Sequence, residues 1–184
     1  MASSAHTIHR IRHLDDPHFE KAHGIYTTSF PLHEQRNWED IPAALAHNDF
    51  HYDAFLDSHN DAVIAILCYW MTDAFVYLEH FAVNPEKRNG GVGKMILDFL
   101  KSKEKRPVIL EIDPPEDEIS RRRLGFYQRS GFIANKQFDY IHPPYDPSGE
   151  PYPLLVMSYP DKLNASLYRE FEGYHHTTVI NPLG

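Results

Sequence analysis

Apolar and polar residues recur along the chain with two different spacings, which predict strands and helices in alternation. Residues 62–70 are apolar throughout, as in a strand buried on both faces. In residues 91–103, apolar side chains recur at i, i+3, i+4, i+7 and i+8, which places them on one helix face. The pattern predicts strands over 7–14, 50–57, 62–70, 75–83, 107–112, 132–140 and 152–159, and helices over 17–29, 38–47, 91–103, 116–130 and 161–172.

This order predicts an α/β protein with a mixed central sheet of about seven strands and helices on both faces. The helices after residues 83 and 112 act as crossovers between strands. At 184 residues, the chain is expected to form one domain over 1–184, with 160–184 as a C-terminal extension.

Composition narrows the possible functions. The net charge of -8 argues against a nucleic-acid partner and is compatible with a cationic one. The single cysteine, Cys68, lies in an apolar run and is expected to be a buried hydrophobe. We find no apolar run near the ~18 residues of a membrane span and no apolar signal core, so a cytoplasmic location without membrane contact is expected. A homodimer is compatible with the sequence.

The 13 histidines prompt a search for a metal site. His9 and His13 are four residues apart but fall on a predicted strand, where that spacing does not converge. His175 and His176 lie near the end of the chain. With no paired cysteines and no HExxH pattern, no metal is expected.

A glycine-rich turn joins the strand at 75–83 to the helix at 91–103. Glycines allow a ligand to approach the backbone closely, and the free N–H groups of a helix start point at an anion. The turn therefore predicts a phosphate site, although a strand-to-helix turn without a ligand is the simpler alternative. Spacing excludes a P-loop and a dinucleotide fingerprint. The turn comprises Arg88, Asn89, Gly90, Gly91, Val92, Gly93 and Lys94.

The chain resembles the GCN5-related N-acetyltransferase superfamily. The family signature Arg/Gln-x-x-Gly-x-Gly/Ala corresponds to Arg88, Gly91 and Gly93. A strand at 77–83 precedes the signature, and a helix and a short strand at 108–112 follow it. The family's Tyr-x-x-x-Gly-Phe corresponds to residues 127–132. The resemblance covers about residues 62–140.

The resemblance implies acetyl-coenzyme A as cosubstrate. Its pyrophosphate would lie on the backbone N–H groups from Asn89 to Lys94, and its pantetheine arm along Phe81, Ala82 and Val83. The strands at 75–83 and 108–112 would splay apart at their C-terminal ends, where thioester and amine meet. Family members often hold the arm with an asparagine at the position of Ser120, so Ser120 is expected to make that contact with a shorter reach.

Three residues are candidates for the chemistry of amide formation. Tyr127 is expected to protonate the leaving thiolate, because a phenol stays protonated at neutral pH; a core aromatic is the alternative. Strand alternation places Glu79 on one face with Phe75, Tyr77, Phe81 and Val83. In that apolar setting its pKa should rise, as suits a base, although pairing with an arginine is the alternative. Glu111, on the neighbouring strand, is a second candidate base.

The acceptor is expected to meet two loops, Phe30 to Trp38 and Tyr140 to Tyr152. Their polar candidates are Glu34, Arg36, His142 and Tyr145, and Arg36 could bind an acceptor carboxylate or phosphate. The leading hypothesis is an N-acetyltransferase acting on a primary amine of a small molecule. A protein or peptide amine, a longer acyl donor, and a coenzyme-A-binding module without turnover are the alternatives.

Overall fold

The structure, a computed structural model, describes residues 6–88 and 90–182, without the side chain of Lys103. Its strands are β1 His6–Ile11, β2 Phe50–Asp57, β3 Val63–Met71, β4 Val76–Val83, β5 Val108–Ile112, β6 Ile133–Ala134, β7 Ile141–His142, β8 Tyr152–Pro153 and β9 Leu155–Tyr159. Its α-helices are α1 Phe19–Ser29, α2 Ile41–Ala46, α3 Val92–Lys103, α4 Glu118–Arg129 and α5 Ala165–Tyr174. Short 3₁₀ turns lie at Leu32–Glu34, Trp38–Asp40 and Pro85–Lys87, and a π-helical turn at His175–Val179 follows α5.

Seven strands form one mixed sheet in the order β1-β2-β3-β4-β5-β9-β6, which confirms the predicted fold class. Only β4 and β5 pair in parallel within this sheet, and the other neighbours are antiparallel. The parallel pair is connected through α3, as a crossover requires. β7 and β8 form a separate two-stranded ribbon.

Helices cover both faces of the sheet, each over its own apolar core. One core contains buried residues of α1, α2 and α5, among them Ala22, Ala44 and Phe171. The other contains buried residues of α3 and α4, among them Ile96 and Tyr127. We refer to these as the α1 face and the α3 face.

The parallel strands β4 and β5 separate part of the way along. Their pairing starts at Val76 with Val108 and ends at Leu78 with Leu110. Beyond this point the two strands diverge, and the backbone of residues 79–83 lines a cavity on that side. The structure therefore has the splayed central strands that the resemblance implies.

A β-bulge at Glu79 corrects the predicted alternation of β4. Against β3, His80 pairs with Cys68 but Leu78 pairs with Tyr69, so Glu79 is the extra residue. Tyr77 packs in the α1-face core, whereas Phe81 and Val83 pack against the α3-face core. The prediction that these residues share one face is wrong, because an inserted residue reverses the alternation beyond it.

The strand predicted over 152–159 is split, because Tyr152–Pro153 pairs in the separate ribbon while Leu155–Tyr159 lies in the main sheet. Other differences lie at element ends. The strand predicted over 132–140 ends at Ala134, because a turn from Asn135 to Phe138 replaces it. The amide side chain of Asn135 binds Ser158 Oγ and accepts from the Leu163 amide, so it holds the turn in place. The helix predicted over 161–172 begins at Ala165, after an N-cap at Asn164, and continues through the π-helical turn.

Candidate active site

A cavity of about 620 Å³ occupies the gap between β4 and β5 and reaches both faces of the sheet. On the α3 face it is lined by the start of α3 and by Tyr127 of α4. On the α1 face it is lined by residues of the two loops predicted to meet the acceptor, including Glu34, His142 and Tyr145. A molecule bound on one face can therefore meet a molecule bound on the other through the gap.

The glycine turn has the geometry that a closely approaching anion needs. Gly91 caps α3 with φ at +77°, a conformation that disfavours any side chain. A Cβ on Gly93 would lie 3.3 Å from Cζ of Phe126, so only glycine fits there without displacing the ring. No carbonyl of the described residues accepts a hydrogen bond from the amides of Val92, Gly93 or Lys94. As far as the described residues show, these amides can donate to a ligand.

The structure places most of the predicted cofactor residues along this cavity. Those that line it are Phe81, Ala82, Val83, Arg88, Gly91, Val92, Gly93, Lys94 and Tyr127. Gly90 is exposed and is not among the described lining residues. Asn89 lies outside the described residues. The ammonium of Lys94 pairs with Asp98 one turn along the helix. This pair offsets the unfavourable interaction of a lysine in the first turn with the helix dipole.

Ser120 is the exception among the predicted contacts. Its hydroxyl donates to Asp117 Oδ1 at 2.8 Å and accepts from the Asp117 amide at 3.1 Å, which completes a capping box at the start of α4. Ser120 is buried and is not among the described residues that line the cavity. The prediction that it holds the cofactor arm is not supported, because its hydroxyl is already engaged. The spacing of Asp117 and Ser120 could have indicated this cap.

Tyr127 lies on the α3 face with its ring buried against Phe126 and Phe132. Burial raises the pKa of the Tyr127 phenol to about 12. The phenol is therefore protonated at neutral pH and can act as a proton donor into the cavity that it lines.

Glu79 is held in a buried ion pair. Its carboxylate accepts from Arg36 Nη2 at 2.6 Å, from Tyr145 Oη at 2.6 Å and from Trp70 Nε1 at 2.8 Å. Burial acts to raise the pKa of Glu79, but the Arg36 guanidinium and these donors hold it below its ordinary value. The predicted rise in the pKa of Glu79 is wrong, because the aromatic setting also contains a guanidinium. The structure shows the alternative, a glutamate paired with an arginine.

Glu111 has the properties that were expected of Glu79. Its Oε2 accepts from the Tyr77 hydroxyl at 2.9 Å, while its Oε1 is buried without a hydrogen-bond partner among the described residues. Burial raises the pKa of Glu111 to about 7, against the opposing effect of the Tyr140 and Tyr77 hydroxyls. A carboxylate that titrates near neutrality suits a general base.

Two histidines adjoin Glu111: His142 lines the cavity, and His175 lies behind the lining residues, within the same cluster. His142 Nε2 lies 3.8 Å from Glu111 Oε2. His175 is fully buried, with Nδ1 within 3.2 Å of the Tyr140 hydroxyl and Nε2 without a partner among the described residues. Burial lowers the pKa of His142 to about 4, and it also holds the pKa of His175 well below its ordinary value. Both imidazoles are therefore neutral at pH 7.

The three side chains are a possible ligand set because one nitrogen or oxygen atom of each lies within 4.8 Å of the others. One of the separations is 3.8 Å, between His142 Nε2 and Glu111 Oε2. Two neutral imidazoles and a carboxyl group so close together can also accept hydrogen bonds from one shared donor, such as a water molecule or an amine nitrogen.

Three of the four polar loop residues line the cavity, and the fourth is engaged elsewhere. Glu34, His142 and Tyr145 line the cavity, but Arg36 is committed to Glu79 and to the carbonyl of Val179 at 2.7 Å. It is therefore not available to bind an acceptor carboxylate or phosphate.

The sequence reasoning missed Tyr77, Tyr140 and His175 as site residues. His175 has a signal in its spacing, because Tyr168, Phe171 and His175 fall at i, i+3 and i+7 on the buried face of α5 and its extension.

The fold and this site define an acyltransferase, with a glycine turn on one side of two splayed strands and an acceptor cavity on the other. The model of the acetyltransferase (GNAT) family matches residues 8–132. The chain belongs to this family.

Individual relatives agree with that assignment. A GNAT-family protein of Bacteroides thetaiotaomicron is 34% identical, with a TM-score of 0.84 over 95% of this chain and 98% of that chain. YjbC of Bacillus subtilis (strain 168), an acetyltransferase by name, is 30% identical over 113 residues, which span 60% of this chain and 56% of YjbC. Naa50 of Arabidopsis thaliana, in complex with the bisubstrate analogue CoA-Ac-MVNAL, shares the fold at a TM-score of 0.60 and 19% identity, over 83% of this chain and 97% of that chain.

Among the helices of residues 6–88 and 90–182, none is both long enough and apolar enough to cross a bilayer.

Proposed function

We propose that the protein transfers an acetyl group from acetyl-coenzyme A to a primary amine of a small molecule. The observation that carries the proposal is the continuity of the cavity, which connects the open amides of α3 on one face to Glu111 on the other. The pyrophosphate of the cosubstrate binds the amides of the glycine turn, and Arg88 and Lys94 add positive charge nearby. The pantetheine arm pairs with residues 81–83 as an added strand.

The reaction then follows from the two ends of the cavity. Glu111 takes a proton from the acceptor ammonium, and the free amine attacks the thioester carbonyl carbon. A carbon–nitrogen bond forms, the carbon–sulfur bond breaks, and Tyr127 protonates the thiolate that leaves. The nitrogen that has attacked loses its second proton to water, and water returns a proton to the Tyr127 phenolate. We assign the base to Glu111 and not to Glu79, because the ion pair with Arg36 occupies Glu79. Glu79 instead positions Tyr145 and Arg36 at the acceptor end.

Thiol release from acetyl-coenzyme A, measured against a panel of amines, tests the proposal. We expect turnover with the wild-type protein, and a fall of about 100-fold in kcat for Tyr127→Phe with little change in acetyl-coenzyme A affinity by calorimetry. The loss follows because the phenylalanine ring preserves packing but cannot donate a proton. A variant with unaltered turnover would remove Tyr127 from the acid role.

The same pair of measurements separates the proposal from a coenzyme-A-binding module. Such a module would bind acetyl-coenzyme A with wild-type affinity and release no thiol with any amine. Three statements remain predictions: that the acceptor is a small molecule, that the protein is cytoplasmic, and that it forms a homodimer.

A further inference from the structure

We infer that the acceptor is an amine with a second positive charge, a diamine or polyamine, whose reacting nitrogen lies at Glu111 and whose second ammonium lies at Glu34. This inference rests on the proposed acetyl transfer and names its substrate class. The argument begins with the four carboxylates that line the cavity, which are Glu34, Glu79, Glu111 and Asp113.

Two of these carboxylates are neutralised by arginines. Glu79 pairs with Arg36 at 2.6 Å, with both side chains buried. Asp113 pairs with Arg123 of α4, also at 2.6 Å. Neither carboxylate leaves a charge for a ligand to balance.

The other two carboxylates have no such partner among the described residues. Glu34 has one basic neighbour within 4 Å, the largely exposed imidazole of His33 at 3.7 Å. Glu111 has only the neutral imidazole of His142, at 3.8 Å. Burial and the nearby Asp113 carboxylate raise the pKa of Glu34, while the Arg123 guanidinium and the His33 imidazole act to lower it. A cation bound beside Glu34 would lower that pKa further. The acceptor end of the cavity therefore holds two acids without an ion pair to an arginine or lysine among the described residues.

The end at Glu111 matches the chemistry of a primary ammonium. Such a group has three N–H donors, and Glu111, His142 and His175 offer three acceptor atoms that lie within 4.8 Å of one another. Each of the three side chains has a buried polar atom without a partner among the described residues, namely Oε1 of Glu111, Nδ1 of His142 and Nε2 of His175, so the cluster has acceptor capacity to spare.

An aromatic side chain lies between the two acids. The ring of Tyr152 lies 5.0 Å from that of His142, beside Glu111, and 5.3 Å from that of His33, beside Glu34. Tyr152 lines the cavity, so an alkyl chain that joins two ammonium groups would pass along its ring. Apolar contact and cation–π attraction both favour that path.

Thiol release with two matched amines tests the inference. Putrescine and n-butylamine have the same four-carbon chain and differ in the second amine. We expect kcat/KM for putrescine to exceed that for butylamine by about 30-fold. Glu34→Gln should lower this ratio to about one, because the amide keeps the shape but not the charge. Glu170→Gln, which removes an exposed carboxylate of α5 outside this cavity and outside both acceptor loops, is the matched control and should leave the ratio unchanged.

Four outcomes would contradict the inference. A wild-type ratio near one, or a ratio that Glu34→Gln does not lower in a variant that still melts cooperatively, would overturn it while leaving acetyl transfer in place. A preference for the α-amine of a short peptide over putrescine would do the same. Absence of thiol release with every amine would overturn the proposed function, and this inference with it.

Discussion

Arg36→Met should destabilise the protein by about 3–5 kcal/mol, although it removes no part of the apolar core. The substitution leaves the Glu79 carboxylate buried without its cation, and an unpaired buried charge is more costly than the pair itself. It also removes the donor to the Val179 carbonyl, which holds the π-helical turn against β4. Urea unfolding of the variant and the wild type gives the difference in free energy.

Arg122→Met is the matched control for that prediction. Arg122 pairs with Glu118 at 2.5 Å, nearly the same distance as the buried pair, but both side chains are about three-quarters exposed. Its loss should cost under about 1 kcal/mol. In the double variant Arg36→Met, Glu79→Gln, part of the lost stability should return, because no charge remains buried. If the two arginine variants lose the same free energy of unfolding, burial does not determine how much an ion pair contributes to stability.

The features that the sequence predicts well are those encoded by residues close together in the chain. The glycine turn is one example, because Gly91 and Gly93 mark a positive φ and a close approach within three positions. The helix face of α3 is another, because its periodicity depends only on neighbouring turns. The order of the elements then follows from their lengths and the breaks between them.

The features that could not be predicted depend on contacts between distant segments. Arg36 and Glu79 are 43 residues apart, and no local pattern shows that a loop arginine reaches a strand glutamate. The bulge that places Glu79 on the α1 face is an extra residue relative to β3, so it appears only when the strands are paired. Both effects act on the same carboxylate, which explains why the predicted pKa had the wrong direction.

The sequence also could not rank Glu111 above Glu79, for a related reason. The two residues occupy comparable positions, one on each of two adjacent strands, and both are buried. Their pKa values differ because one carboxylate meets a guanidinium and the other meets neutral phenols and imidazoles. Apart from Tyr77 of β4, those partners come from the segments that connect the main elements and from the end of α5, where sequence patterns carry the least information.

Glu111→Gln should lower kcat/KM by about 1,000-fold. It should also remove the rise of kcat/KM with pH that the wild type is expected to show near pH 7. Burial raises the pKa of Glu111 to about 7, so the carboxyl is protonated below that pH and cannot accept a proton. Wild-type kcat/KM should therefore rise with pH through about 7 and then level off. An alkylamine acceptor with a pKa of about 10 stays protonated across this window and adds no inflection there.

The contribution of Glu111 to the free energy of unfolding should fall as pH rises, whereas kcat/KM should rise. Because the pKa of Glu111 is raised in the folded state, the protonated form favours folding, and that contribution is lost as pH rises from the unfolded pKa through about 7. Glu111→Gln cannot ionise, so above pH 7 it should unfold at a higher urea concentration than the wild type while being almost inactive. Tyr77→Phe removes the phenol that donates to Oε2, and it should move the activity limb to higher pH. A wild-type profile without a limb near 7, or a glutamine variant that retains that limb, would assign the base to another group.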